Sequence, residues 1–314
     1  MMQRQNYFIA TDFDGTLAAT FEDSPSGMNV TKASDRAVTE IFGVAGVNKY
    51  RELGGMQNRE PGELVRLILE GTGGDEQDCK NFTRDYIEAK LSHLLPEINP
   101  KWPQLYPGVE EFFRTVEEGV LPIEIGIVSS GHDEFIKRVF EVHNLTCPDI
   151  LVTSDILRSR TMPRRERYKP HTYQLAEAHR QWNGQVYDES FDPSSYGDSY
   201  IGRSHGKDHM AYAGDDPIKD GGLAREARVP FLFVPFTKPY FSPDNGDGQL
   251  LVPDFTFLTE ILAMQLADLK EGKSFSEIFL GRGDSEVFPP VLEGARPYAR
   301  MLEGMRSGAR ERLV

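Results

Sequence analysis

A chain of 314 residues with 39% hydrophobic, 27% charged and 11% aromatic side chains has material for a sizeable core, and its composition excludes both a membrane bundle and a disordered tract. Lys and Arg number 35 against 49 Asp and Glu, a formal charge of -14. That balance argues against a sequence-independent hold on nucleic acid or on an anionic membrane surface, and leaves room for an anionic small molecule drawn in by a metal or by local basic groups. Two cysteines, Cys79 and Cys147, make no disulfide framework. With no secretory pattern at the N-terminus and no apolar run approaching ~18 residues, a reducing, cytoplasmic location is expected.

At roughly 150 residues per domain the length suggests two domains. Taken in chain order, the first apolar run, Tyr7–Thr11, reads as a buried strand. Residues 19–105 carry helical patterns and no strand: Ala33, Ala37, Val38, Ile41, then Leu64, Val65, Ile68, Leu69, then Cys79, Phe82, Tyr86, Ala89. Pro100, Pro103 and Pro107-Gly108 mark the end of this block. A helix with Val109, Phe112, Phe113 and Val116 on one face follows, then a strand over 123–128, a helix with Phe135, Ile136, Val139 and Phe140 on one face, and a strand over Ile150–Thr153. Residues 183–206, rich in Asp, Ser, Tyr and Gly, read as a long surface loop. A weaker strand at 210–213 and a stronger one at 229–234 complete the pattern, and 269–314 reads as a charged, partly helical extension.

Strands alternating with helices predict an α/β fold with a parallel sheet covered on both faces. The expected organisation is a Rossmann-like core from 1–18 and 106–268, a helical insertion over 19–105 and the extension over 269–314. The sequence contains no internal repeat, and its residues do not disclose an oligomeric state.

Asp12-Phe13-Asp14-Gly15-Thr16 follows the first strand directly. Two carboxylates two residues apart at the carboxyl end of a parallel strand stand where such sheets bind ligands, and one can attack while the other handles a proton. A bare Asp-x-Asp is as often a solvated turn; the preceding strand and the following Gly-Thr set this one apart. After the second strand, Ser129-Ser130-Gly131 offers a hydroxyl and backbone N–H groups to phosphate oxygens, although a strand-end serine is commonly just a helix cap. Lys169-Pro170 opens a helical pattern and could neutralise a phosphoryl group, or could be a surface helix start. Ala213-Gly214-Asp215-Asp216, with Asp220 soon after, supplies hard oxygen ligands suited to Mg²⁺, or an acidic turn. Lys207 competes with Lys169, but it precedes a strand whose far end leads to Asp215, and at ~3.3 Å per residue that puts it well over ~10 Å away.

In this order the four motifs, Asp12-x-Asp14-Gly15-Thr16, Ser129, Lys169 and Gly214-Asp215-Asp216 with Asp220, resemble the haloacid dehalogenase-like hydrolase superfamily over about residues 5 to 268. The helical insertion, with Leu105-Tyr106-Pro107-Gly108-Val109 at its return, resembles the phosphoglycolate phosphatase and β-phosphoglucomutase branch, whose small helical cap covers the active site. The resemblance implies Asp12 as nucleophile forming an aspartyl-phosphate, and Asp14 as the acid that protonates the leaving group and then activates water. It implies phosphate binding by Ser129, Ser130 and Lys169. Mg²⁺ would be held by Asp12, the Asp14 backbone carbonyl and Asp215, with Asp216 or Asp220 in support. Asp14 also favours phosphate esters, since the branches acting on carbon-halogen or carbon-phosphorus bonds lack an acid there.

The expected activity is thus a Mg²⁺-dependent phosphatase acting on a small phosphorylated metabolite, with a sugar phosphomutase or a non-catalytic binding protein as alternatives. Three features depart from the pattern: an Asp215 to Asp220 interval one residue longer than the commonest, the basic stretch 158–167 before Lys169, and the extra segments 183–206 and 269–314. In the insertion, Gly54-Gly55-Met56-Gln57-Asn58-Arg59 resembles the branch's specificity loop, which makes Arg59 a candidate contact to the substrate's non-reacting part; a solvent-facing Arg is the alternative. His132 is expected as a first-turn helix residue.

Overall fold

The computed structural model describes residues 7–55, 61–70, 75–98, 101–153, 155, 169, 171–184, 207–235 and 249–280. Six strands, β1 (Tyr7–Thr11), β2 (Ile123–Ser129), β3 (Ile150–Thr153), β4 (Met210–Gly214), β5 (Phe231–Phe233) and β6 (Gln249–Leu251), form one parallel sheet in the order β3-β2-β1-β4-β5-β6. The order reverses at β1, so the crevice outside the carboxyl ends of β1 and β4 is a topological switch point, where open parallel sheets bind ligands. Thr11 pairs with both Ile127 and Ala213, which brings the ends of β1, β2 and β4 level.

The strands read as continuous apolar runs because both faces are covered. Tyr7 and Ile9 point into a core shared with α4 (Val109–Glu117), α5 (Asp133–Val142) and α8 (Phe255–Met264), while Phe8 and Ala10 point into a second core with α6 (Tyr173–Trp182) and α7 (Lys219–Ala227). Helix α5 buries all four residues its periodicity marks, and α4 buries Val109, Phe112 and Phe113 with Val116 partly covered. The expected strand at 229–234 contracts to Phe231–Phe233, and β6 is new: Gln249-Leu250-Leu251 has too few apolar residues to alternate, and its pairing with β5 defines it. The extension placed from 269 onward begins inside the main core. After α9 (Leu266–Lys270) comes α10 (Phe275–Leu280); Leu269, Phe275 and Phe279 are buried there, and the Tyr7 hydroxyl donates to the Lys273 carbonyl at 2.6 Å.

Between β1 and α4 lie α1 (Val30–Glu52), α2 (Pro61–Leu69) and α3 (Glu76–Leu94). Asn29 caps α1 through Lys32 N–H, and Asp75 with Asp78 closes a capping box on α3. These helices share their own apolar cluster, which includes Val38, Tyr50, Leu64, Val65 and Tyr86, apart from the two cores on the sheet. The outgoing and returning segments run side by side, with Ala19 N–H donating to the Gln104 carbonyl and Tyr106 N–H to the Leu17 carbonyl. Among the described residues no helix is long and apolar enough to cross a membrane.

Gly108 caps α4 with φ 80°, and a Cβ there would lie 2.0 Å from the Thr256 backbone nitrogen on α8. Gly108→Ala therefore combines left-handed strain with a backbone clash that no rotamer relieves. A loss on the order of 3 kcal/mol is expected in denaturant unfolding; a loss below about 1 kcal/mol would mean that α4 and α8 can separate freely.

Candidate active site

Four segments distant in sequence meet at the switch point. Asp12 leaves β1 with its N–H on the Ala213 carbonyl of β4, at 2.8 Å. Its Oδ1 accepts from Phe13 N–H at 2.8 Å and from the buried Lys169 Nζ at 2.9 Å, while Oδ2 accepts no hydrogen bond among the described residues. The chain then turns through Gly15 at φ 81°, where a Cβ would sit 2.9 Å from Asp215 Oδ2. Only glycine fits the turn and the carboxylate together. The next residue, Thr16, donates its hydroxyl to Asp215 Oδ1 at 3.3 Å. Both residues after the two aspartates thus serve Asp215, almost two hundred positions away.

Asp14 lies against the second motif. A Cβ on Gly131 would come within 2.9 Å of Asp14 Oδ2 and 3.3 Å of Ser129 Oγ. The buried Ser129 hydroxyl accepts from Gly131 N–H at 3.1 Å, and Ser130 is exposed beyond it. Asp14 Oδ1 is buried with no hydrogen-bond partner of normal geometry among the described residues, and the nearest polar influence on the carboxyl is the Thr20 hydroxyl. Asp220 anchors the other side. Its Oδ1 accepts from Lys169 Nζ at 2.9 Å and from the Tyr212 hydroxyl at 3.1 Å, and its Oδ2 from Asp216 N–H at 3.0 Å.

Of the two acidic candidates after Asp215, the fold brings Asp220 to the site. Carboxylate oxygens of Asp12, Asp215 and Asp220 lie within 4.8 Å of one another. The Asp216 side chain is occupied elsewhere, its Oδ1 accepting from Ile218 and Lys219 N–H at the start of α7. The extra residue in the interval is absorbed by this turn, closed by Asp220 N–H on the Asp216 carbonyl at 2.8 Å. Gly214 makes room, since a Cβ there would lie 2.5 Å from the Asp220 carboxylate. Lys207 belongs to a 3-10 turn at the opposite end of β4. His132 is the residue before α5, its Nδ1 3.1 Å from Asp155 Oδ2. Arg59, the stretch 158–167 and nearly all of 183–206 lie outside the described residues.

The electrostatics follow from burying four carboxyl groups, Asp12, Asp14, Asp215 and Asp220, in one crevice. Burial pushes the Asp12 pKa up; Lys169 works against this, and Asp215 and Asp14 add to it. Burial also raises Asp14, opposed by the Thr20 hydroxyl and by the charges of Lys90 and Lys169. Asp220 rises through burial against the pull of Lys169. For Lys169 burial disfavours the ammonium, but Asp12 and Asp220 outweigh it and hold the pKa above the ordinary lysine value.

Two residues at the site were not anticipated. Lys90 lies on the buried stripe of α3, Cys79, Thr83, Tyr86, Lys90 and Leu94, and its charge reaches Asp14. A lysine on an otherwise buried helical face was the available signal. Tyr212 carried no such signal, because an aromatic in a buried strand reads as packing.

The donor set suits a hard divalent cation: carboxylate oxygens only, close together, with the pKa of Asp12 raised in part by its acidic neighbours. No family model matches the chain, and no curated protein matches it in sequence. Solved structures do match. A HAD hydrolase of family IA, variant 3, from Entamoeba histolytica superposes with a TM-score of 0.53 at 15% identity, covering 84% of this chain and 99% of that one. CbbY from Rhodobacter sphaeroides in complex with phosphate gives 0.49 at 17% identity, covering 81% and 99%. A predicted phosphoglycolate phosphatase from Haemophilus somnus gives 0.48 at 15% identity, covering 83% and 99%. The chain thus has the haloacid dehalogenase-like hydrolase fold in its helical-cap form.

Proposed function

We propose that the protein is a Mg²⁺-dependent phosphatase that hydrolyses a small phosphorylated metabolite through an aspartyl-phosphate on Asp12, with residues 19–105 acting as a cap over the crevice. The observation that carries this reading is the state of Asp12: one oxygen is held by Lys169 and Phe13 N–H, and the other, at the carboxyl end of β1, accepts no hydrogen bond among the described residues. Oδ2 attacks phosphorus, the ester P–O bond breaks, and the leaving oxygen takes the proton of the Asp14 carboxyl. Asp14, now ionised, removes a proton from water as that water attacks phosphorus, the Asp12 acyl-phosphate bond breaks, and inorganic phosphate leaves. Burial favours the protonated form of Asp14, as its first task requires. Ser129, the backbone N–H groups after it and Lys169 would hold the phosphoryl oxygens. Asp12, Asp215 and the Asp14 backbone carbonyl would hold the cation, which when bound neutralises charge on the transferring group. Asp220 would keep Lys169 in place.

A panel of phosphorylated metabolites with a phosphate-release readout tests the reading. Mg²⁺-dependent release is expected from at least one; a folded, Mg²⁺-supplied protein inert on the whole panel and on p-nitrophenyl phosphate would overturn it.

The charge of Lys90 bears on the proposed acid Asp14, which makes Lys90 this reading's candidate contact to the leaving group. Lys90→Met should therefore cut kcat/KM about tenfold for esters whose leaving group carries a further anionic group, the worth of one charge-assisted contact. On p-nitrophenyl phosphate, which has no such group, the loss should stay below about threefold. Equal losses on both kinds of ester would remove Lys90 from substrate recognition.

A further inference from the structure

The reaction so described leaves the Tyr212 hydroxyl without a task. Tyr212 lies in β4 on the face covered by α6 and α7, wholly buried, with its ring stacked 6.5 Å from that of Phe231. Packing alone would be served there by Phe or Leu. The hydroxyl lies 3.1 Å from Asp220 Oδ1 and 3.2 Å from the Val128 carbonyl oxygen. One proton serves one acceptor at a time, and the carboxylate is the stronger. The ring lies 5.3 Å from Lys169 Nζ, within cation–π range. Burial, with Asp220 and Asp12 adding to it, pushes the phenol well above its ordinary value, so the hydroxyl keeps its proton and is a standing donor.

Lys169 is shared between Asp12 Oδ1 and Asp220 Oδ1 at the same distance, 2.9 Å. Were Asp220 free to turn away, the ammonium would close on Asp12 alone and compete for the oxygen that has to attack. We propose that Tyr212 is a positioning residue: its hydroxyl fixes Asp220 and its ring backs the ammonium, which holds Lys169 between the two carboxylates and leaves Asp12 Oδ2 free. The Asp216 N–H bond fixes the other Asp220 oxygen, so two donors from different elements set the orientation of that carboxylate. The kinetic consequence rests on the phosphatase reading; the geometric one does not.

Two measurements on Tyr212→Phe test this. Loss of the hydroxyl should lower kcat on p-nitrophenyl phosphate about tenfold while KM stays within twofold, because phosphate contacts survive and the aim of Lys169 does not. In parallel, nitrogen-15 NMR of lysine side chains should show a slowly exchanging ammonium resonance in the wild type that Lys169→Met removes. That resonance should be lost or shifted in Tyr212→Phe, at a thermal midpoint close to that of the wild type. A merely structural Tyr212 would lower the midpoint and leave the resonance and the kcat of the folded fraction unchanged, and this result would overturn the proposal. If the wild type turns over no phosphate ester, the phosphatase reading fails and the resonance alone decides the role of Tyr212. Should Tyr212→Phe prove insoluble, Tyr212→Met, with neither ring nor hydroxyl, is read in the same way.

Discussion

Asp12→Asn is expected to remove turnover, by at least about a thousandfold, while the protein remains folded. The amide is nearly isosteric, yet its oxygen is a weak nucleophile and forms no stable acyl-phosphate. Its carbonyl oxygen can still accept from Phe13 N–H and from Lys169, the two bonds that now hold Oδ1. Nor does the change strand a charge, because Lys169 keeps its partner Asp220. Burial already opposes ionisation of Asp12, so losing that negative charge should cost little stability at neutral pH. The checks are steady-state kinetics beside thermal unfolding, with acid-quenched wild type searched for phosphate on Asp12 by peptide mass spectrometry. A folded Asp12→Asn protein with near-native activity would end the covalent mechanism.

The amino-terminal part of the site was legible in the residues. Tyr7–Thr11 is buried throughout because both faces of β1 are covered, and the Asp-x-Asp-Gly-Thr run behind it announces a special turn. What the run does not announce is the purpose of its last two members. Gly15 and Thr16 serve Asp215, a relation that exists only after β1 and β4 pair. Lys169 could be named from its order among the motifs and by eliminating Lys207 on length, but the sharing of its charge between Asp12 and Asp220 is a tertiary fact. The choice between Asp216 and Asp220 was closed to spacing arguments, because both are acidic and lie within one turn. Backbone hydrogen bonding separates their placements, by tying Asp216 Oδ1 to the start of α7.

The same division runs through the fold. The strands legible in advance were those buried on both faces, whose apolar runs need no partner to be seen. β6 was missed because three residues at a sheet edge carry no period, and α10 was set apart with a charged tail because its core contribution, Phe275 and Phe279, is a single i, i+4 pair. The helical insertion could be seen as helical, yet the bearing of the Lys90 charge on Asp14 is a tertiary relation that no local pattern carries. Local pattern reports what an element buries, not against which atom it buries it.

The acidic crevice should also make the apo-protein's stability respond to Mg²⁺ and to pH in a definite direction. Asp12, Asp14 and Asp220 all have pKa values raised above the ordinary aspartate value of 3.8. A carboxyl whose folded pKa is raised binds its proton more tightly in the folded state, so its contribution to stability is present at low pH. That contribution is lost as pH rises from the unfolded value through the folded one. At neutral pH these groups therefore weigh against folding, and a divalent cation bound to the folded state offsets them. At about 100 times its Kd, Mg²⁺ should stabilise by about 2.7 kcal/mol and raise the thermal midpoint at pH 7.5 by about 5 °C. At pH 5, where protons compete for the same oxygens, the rise should be smaller. Excess chelator should remove both the rise and all turnover. Asp215→Asn separates the ligand from the scaffold: it takes away one buried like charge beside Asp12, so its metal-free midpoint should equal or exceed that of the wild type, while the Mg²⁺-induced rise should fall below about 1 °C. If Asp215→Asn responds to Mg²⁺ as fully as the wild type, or if the wild type shows no Mg²⁺-dependent rise at pH 7.5, these carboxylates do not hold the metal and the crevice serves another end.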